Sequence, residues 1–83
     1  MSPLEFNNLS FADQVNFIFD NKDVRRLSIR YSKNQKILLY DCGLFFVELY
    51  VLQKEKKILC FRAIELDDNS INEHIDYMKK SNY

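Results

Sequence analysis

The segment Leu44–Leu52 constrains this chain more than any other. It reads Leu44-Phe45-Phe46-Val47-Glu48-Leu49-Tyr50-Val51-Leu52, almost continuously apolar and rich in β-branched and aromatic side chains, with one charge at its middle. That composition belongs to a strand covered on both faces, so the segment is expected at the centre of a sheet. Such a strand needs two covers. Helices supply one; a partner or a second copy of the chain is a candidate for the other.

The chain has 83 residues, enough for one domain with one small core. A domain of this size removes only roughly 60–65% of its unfolded surface from water. With 47% hydrophobic and 14% aromatic residues a real core is affordable, and disorder is excluded. One glycine and one proline leave no room for a flexible linker or a low-complexity segment. Twelve basic residues balance twelve acidic ones, which argues against a nucleic-acid binder, because phosphate neutralisation supplies most of that affinity. No window approaches the ~20 apolar residues of a membrane span, and the N-terminus lacks the pattern of a signal peptide. Cys42 and Cys60 have no spaced framework, so the expectation is a reduced, cytoplasmic protein.

The elements follow from local chemistry. Ser2-Pro3-Leu4-Glu5 starts a short helix: a serine cap, proline at the first position, and a glutamate that reaches back to the cap. A second helix is capped by Ser10 and carries Phe11, Val15, Ile18 and Phe19 on one face, with Asn21 expected in the left-handed conformation at its end. From Val24 the period changes to two: Leu27, Ile29 and Tyr31 alternate with Arg26, Ser28 and Arg30. A turn at 32–35 leads to a second strand over 36–40. Gly43 supplies a tight connection with positive φ before the central strand. Lys54, Glu55, Lys56 and Lys57 turn into a fourth strand over 58–66. Ser70, with Glu73 as capping partner, opens a last helix whose apolar stripe is Ile71, Ile75 and Met78. The order α-α-β-β-β-β-α predicts one α+β domain over residues 1–83, a four-stranded antiparallel meander with helices on one face, unless the terminal helices fold over both.

Register in the last hairpin can be argued from cost. A two- or four-residue loop would put Arg62 on the face of Val47, Leu49 and Val51, where an unpaired guanidinium costs several kcal/mol. An odd loop sets Glu48 opposite Arg62, with Leu49 opposite Phe61 and Val47 opposite Ala63. The odd loop is therefore expected, with Glu48 and Arg62 paired on the outer face. The inner face then holds Leu27, Ile29, Tyr31, Phe45, Val47, Leu49, Val51, Leu59, Phe61 and Ala63. The outer face collects Arg26, Arg30, Phe46, Glu48, Tyr50, Cys60, Arg62 and Ile64. Arginines with aromatics are enriched at protein interfaces, so Arg26, Arg30, Phe46, Glu48, Tyr50, Arg62 and Ile64 are the candidate interaction surface. The same face could instead stack single-stranded nucleic acid, although no aromatic-and-glycine signature supports that.

Nothing in the sequence spells out catalysis, a metal or a cofactor. His74, the only histidine, is read at the edge of the last helix's apolar stripe, and nothing places it beside Cys42 or Cys60, which are expected to be buried and inert. Glu65, Asp67 and Asp68 lack the alternation and glycine of a calcium loop and suit helix capping instead.

The run Gly43-Leu44-Phe45-Phe46-Val47-Glu48-Leu49-Tyr50, followed by Lys57-Ile58 and Arg62-Ala63, resembles the "GFFVEVYY" hairpin of small uncharacterised bacterial single-domain proteins. Their short N-terminal helix is similar to Phe6-Asn7-Asn8-Leu9-Ser10-Phe11-Ala12-Asp13-Gln14. Here an extra Leu44 follows the glycine, and Lys-Glu-Lys-Lys replaces the usual turn. The resemblance implies a cytoplasmic α+β domain and brings no activity with it. The functional expectation is a non-enzymatic protein–protein interaction module, a homodimer or a binder of one protein partner, without cofactor, metal or membrane.

Overall fold

The structure, a computed structural model, describes residues 1–65 together with Asn72, His74 and Ile75. Two helices, α1 (Pro3–Asn7) and α2 (Phe11–Asp20), precede four strands: β1 (Arg25–Ser32), β2 (Gln35–Asp41), β3 (Phe46–Leu52) and β4 (Lys57–Ile64). The strands form one antiparallel sheet in the order β1-β2-β3-β4, with β3 interior as its composition requires. β4 stops at Ile64, with Glu65 already out of the strand expected to run to Leu66, and the expected C-terminal helix from Ser70 lies outside the described residues. Of that region only Asn72, His74 and Ile75 are described, each in helical conformation.

Local chemistry sets the helix starts. Ser2 Oγ accepts from the Glu5 amide and Glu5 Oε1 accepts from the Ser2 amide, both at 3.1 Å, a complete capping box ahead of Pro3. Ser10 Oγ accepts from the Asp13 amide in the same way. The end of α2 differs from expectation. Asn21 is extended rather than left-handed, and its Oδ1 accepts from the Asp23 amide at 3.0 Å, so a side-chain turn replaces the left-handed cap. Gly43 does adopt positive φ, +93°, and its amide donates to Asp41 Oδ1 at 2.8 Å.

Both helices lie on one face and pack mainly against β4. The core between the layers is aromatic: Phe6 is fully buried, with its ring 5.6 Å from Phe17, 6.1 Å from Phe45 and 6.2 Å from Phe61. Leu38, Tyr40, Val47, Leu49 and Ala63 complete it from the sheet. Gln14, itself buried, donates to the Phe6 carbonyl at 3.0 Å and ties α2 to α1. Asn7 does the same for the sheet. Its Oδ1 accepts from the Ala63 amide at 2.9 Å and its Nδ2 donates to the Ala63 carbonyl at 3.3 Å, so a side-chain amide stands where a fifth strand would pair with β4.

Two bulges decide which residues face which way. The pairs Glu48–Arg62, Leu49–Phe61 and Val47–Ala63 occur as expected. The loop from Gln53 to Lys56 nevertheless has four residues, not an odd number. The parity is restored inside β4, where Tyr50 pairs with Cys60 and Val51 with Ile58, leaving Leu59 as the extra residue of a bulge. A second bulge in β1 leaves Leu27 unpaired between Arg26–Tyr40 and Ser28–Leu39. Arg26 is thereby on the Tyr40 side, the helix-covered face, and not on the outer face where strict alternation puts it. Leu27, Tyr31 and Leu59, expected to be dry, are 44%, 52% and 41% exposed. Cys60, expected to be buried, is exposed.

Candidate functional site

The outer face of the sheet is built around Glu48. Its neighbours in β2 and β4, Leu39, Ile37 and Ile64, are buried, and Glu48 itself has no exposed surface. Oε1 accepts from Tyr50 Oη at 2.9 Å and from Arg62 Nε and Nη2 at 3.2 and 3.0 Å. Oε2 lies 3.1 Å from His74 Nε2 and 3.6 Å from Arg30 Nη2. Burial alone would raise the Glu48 pKa. The hydrogen bonds from His74, Tyr50 and Arg62, and the charge of Arg62, outweigh it and hold the carboxyl down at about 2. Tyr50 is pushed up to about 12, by burial first and then by donating to that carboxylate.

His74 is fully buried, and its other ring nitrogen, Nδ1, is 3.1 Å from Ser28 Oγ. An ionised Glu48 only accepts, so Nε2 carries the proton; in the neutral ring Nδ1 then accepts from the Ser28 hydroxyl. The helical residue His74 is thus fastened to the middle of the sheet between β1 and β3. Serine, histidine and carboxylate stand in the hydrogen-bond order of a hydrolase relay. What surrounds them differs from such a site: Glu48 is already shared by two guanidinium groups, and His74 has no accessible surface. The arrangement is chemically a lock, a charge sealed in by donors.

Of the seven residues expected to form an interaction surface, Arg30, Glu48, Tyr50 and Arg62 are gathered into this lock. Ile64 is buried, Phe46 is half-buried, and Arg26 lies on the other side. Ser28 and His74 are the members the sequence reading did not single out. The available signal was spacing alone: His74 lies three residues after Ile71 and four before Met78 in the sequence, the interval of one helical face, while Ile75, expected in that stripe, is exposed.

Exposure lies elsewhere. Helix α2 has ten residues and spans ~15 Å, whereas the eight-residue strands run ~26 Å. Among the described residues, the helix-side face ends toward the β1–β2 and β3–β4 turns in a row whose apolar members Val51 and Ile58 pack against the margin of the core. The row across the sheet there is Tyr31, Lys36, Val51 and Ile58. Tyr31 is half exposed and the other three are half-buried. Beside this row is a shallow cleft of about 400 Å³ lined by Tyr31, Lys36, Val51, Leu52, Gln53 and Lys56.

Among the described residues no three of His, Cys, Asp and Glu come together as a metal-binding group. No described helix is long and apolar enough to cross a membrane. Both cysteines are free, and burial, with Asp41 nearby, pushes the Cys42 thiol up to about 12. Comparison with known protein families, curated proteins and solved structures returns no match to this chain.

Proposed function

We propose that this protein is a non-enzymatic protein–protein interaction module that works through the turn end of its helix-side sheet face. The observation that carries the reading is the row Tyr31–Lys36–Val51–Ile58, where a half-exposed tyrosine and a lysine adjoin two half-buried aliphatic side chains at the margin of the core. An apolar strip of this kind, rimmed by lysines, fits a binding surface better than a solvated face. The outer face suits contact with a partner less, because Glu48, Leu39 and Ile64 are sealed and His74 occupies its centre. The same chemistry speaks against single-stranded nucleic acid there: Arg30 and Arg62 face a carboxylate, not solvent phosphates. In this reading the helical residues around His74 continue as a C-terminal helix over the outer face. A cytoplasmic setting suits two free thiols. Self-association through the turn end would oppose two lysine-rich rims, so a different chain is favoured over a homodimer.

The test is to isolate the protein under non-denaturing conditions, record its mass, and compare amide exchange in the complex and in the free chain. A mass above one chain, with protection gained around residues 31, 36, 51 and 58, supports the proposal. A bare monomer, or protection gained only on the outer face, overturns it.

A further inference from the structure

The chain's zero net charge hides an asymmetry. At the turn end, Lys33, Lys36, Lys54, Lys56 and Lys57 stand against the single acid Glu55, and the remainder of the chain is correspondingly acidic. None of these lysines makes an ion pair with a described carboxylate; the described ion pairs all converge on Glu48. Two of them, Lys36 and Lys56, line the cleft together with Tyr31, Val51, Leu52 and Gln53.

The cleft is also pre-shaped. The Gln53 amide donates to the Asn34 carbonyl at 2.9 Å, and its side-chain Nε2 donates to the carbonyls of Gln35 and Lys33 at 3.2 and 3.4 Å. One glutamine thus staples the β1–β2 turn to the β3–β4 turn. Lys56 is held at a left-handed φ of 52° on the wall. A site ordered in advance loses less entropy when it is filled.

We propose that this cleft binds an acidic peptide segment carrying one apolar side chain, which rests on the interaction-module reading above and names the partner's chemistry. The apolar side chain would lie against Val51 and Tyr31 while flanking carboxylates meet Lys36 and Lys56. A cavity of this size takes a side chain or two. With Tyr31 the one aromatic ring in its lining, the cleft favours a peptide over a nucleic acid, whose bases need a row of aromatic faces.

The experiment uses three labelled peptides with a central leucine flanked by glutamates, serines or lysines, together with a short oligothymidylate, in fluorescence-polarisation titrations. The glutamate peptide should bind best and weaken at least about tenfold between low and high salt. In the double variant Lys36→Glu/Lys56→Glu the preference should switch to the lysine peptide. Circular dichroism checks folding, and Lys36→Gln/Lys56→Gln, which should abolish the preference, replaces the double variant if it unfolds. Equal binding of the glutamate and serine peptides, no binding at all, or a preference untouched by the variants overturns the proposal, and tighter binding of oligothymidylate replaces it with a nucleic-acid site. If native-complex exchange still protects the row while acidic peptides fail, the module stands and only the partner's chemistry is wrong.

Discussion

His74 Nε2 lies 3.1 Å from Glu48 Oε2, and neither residue has any surface in contact with water. The pair joins a helical residue near the C-terminus to the central strand. A buried carboxylate is tolerable only when its oxygens are satisfied, and here Tyr50, Arg62, Arg30 and His74 all converge on them.

Acid should unfasten this lock. Glu48 titrates near 2 when folded, against an ordinary 4.5, so between those values the unfolded chain binds more protons and stability rises with pH. The contribution is full above about pH 5 and disappears as pH falls toward 2, amounting to about 3 kcal/mol. Urea unfolding across this range checks it. Glu48→Gln should lose about 3 kcal/mol near neutrality and show a flatter acid limb, because the guanidinium groups lose their countercharge.

Ser28→Ala leaves His74 Nδ1 buried without its hydroxyl partner. The expected loss is about 1–2 kcal/mol. Ser28→Thr, which keeps the hydroxyl, should recover part of it. Chemical denaturation of the two variants side by side separates the lost hydrogen bond from altered packing.

Asn7→Ala removes both side-chain bonds to the Ala63 backbone. Stability should fall by about 1–2 kcal/mol. The Ala63 amide should also exchange faster than its neighbours in β3, which a hydrogen-exchange experiment resolves residue by residue.

Lys33 and Lys56 hold positive φ, 53° and 52°, which costs a residue with a Cβ roughly 1 kcal/mol. Lys33→Gly should therefore raise stability by about 0.5–1 kcal/mol, net of the added freedom of the unfolded chain. A shift of the urea midpoint at unchanged slope is the expected reading. Lys56→Gly should stabilise likewise while weakening the acidic-peptide preference.

The meander, the helix caps and the Glu48–Arg62 pairing were legible because each rests on a local or cross-strand rule with a large penalty for error. A lone carboxylate in an apolar strand demands a countercharge, and Arg62 was the residue placed to give it. The faces of Arg26, Leu27 and Leu59 were not legible. A bulge inserts one residue without disturbing the apolar alternation on either side, so β1 and β4 read as regular strands. The loop parity failed for the same reason: a four-residue turn with a bulge gives the register of an odd turn. The burial of His74 was not legible, because nothing in the sequence says that the strand beneath a lone histidine is the one that carries Glu48.

The Asn7 plug on β4 has one more consequence. Strand-by-strand stacking into a fibre requires each subunit to offer two receptive rims, one to give and one to take. With the β4 rim answered from within its own chain at Ala63, joining through sheet edges ends after a single step. Growth by edge-to-edge pairing at Ala63 is thus blocked by one amide side chain.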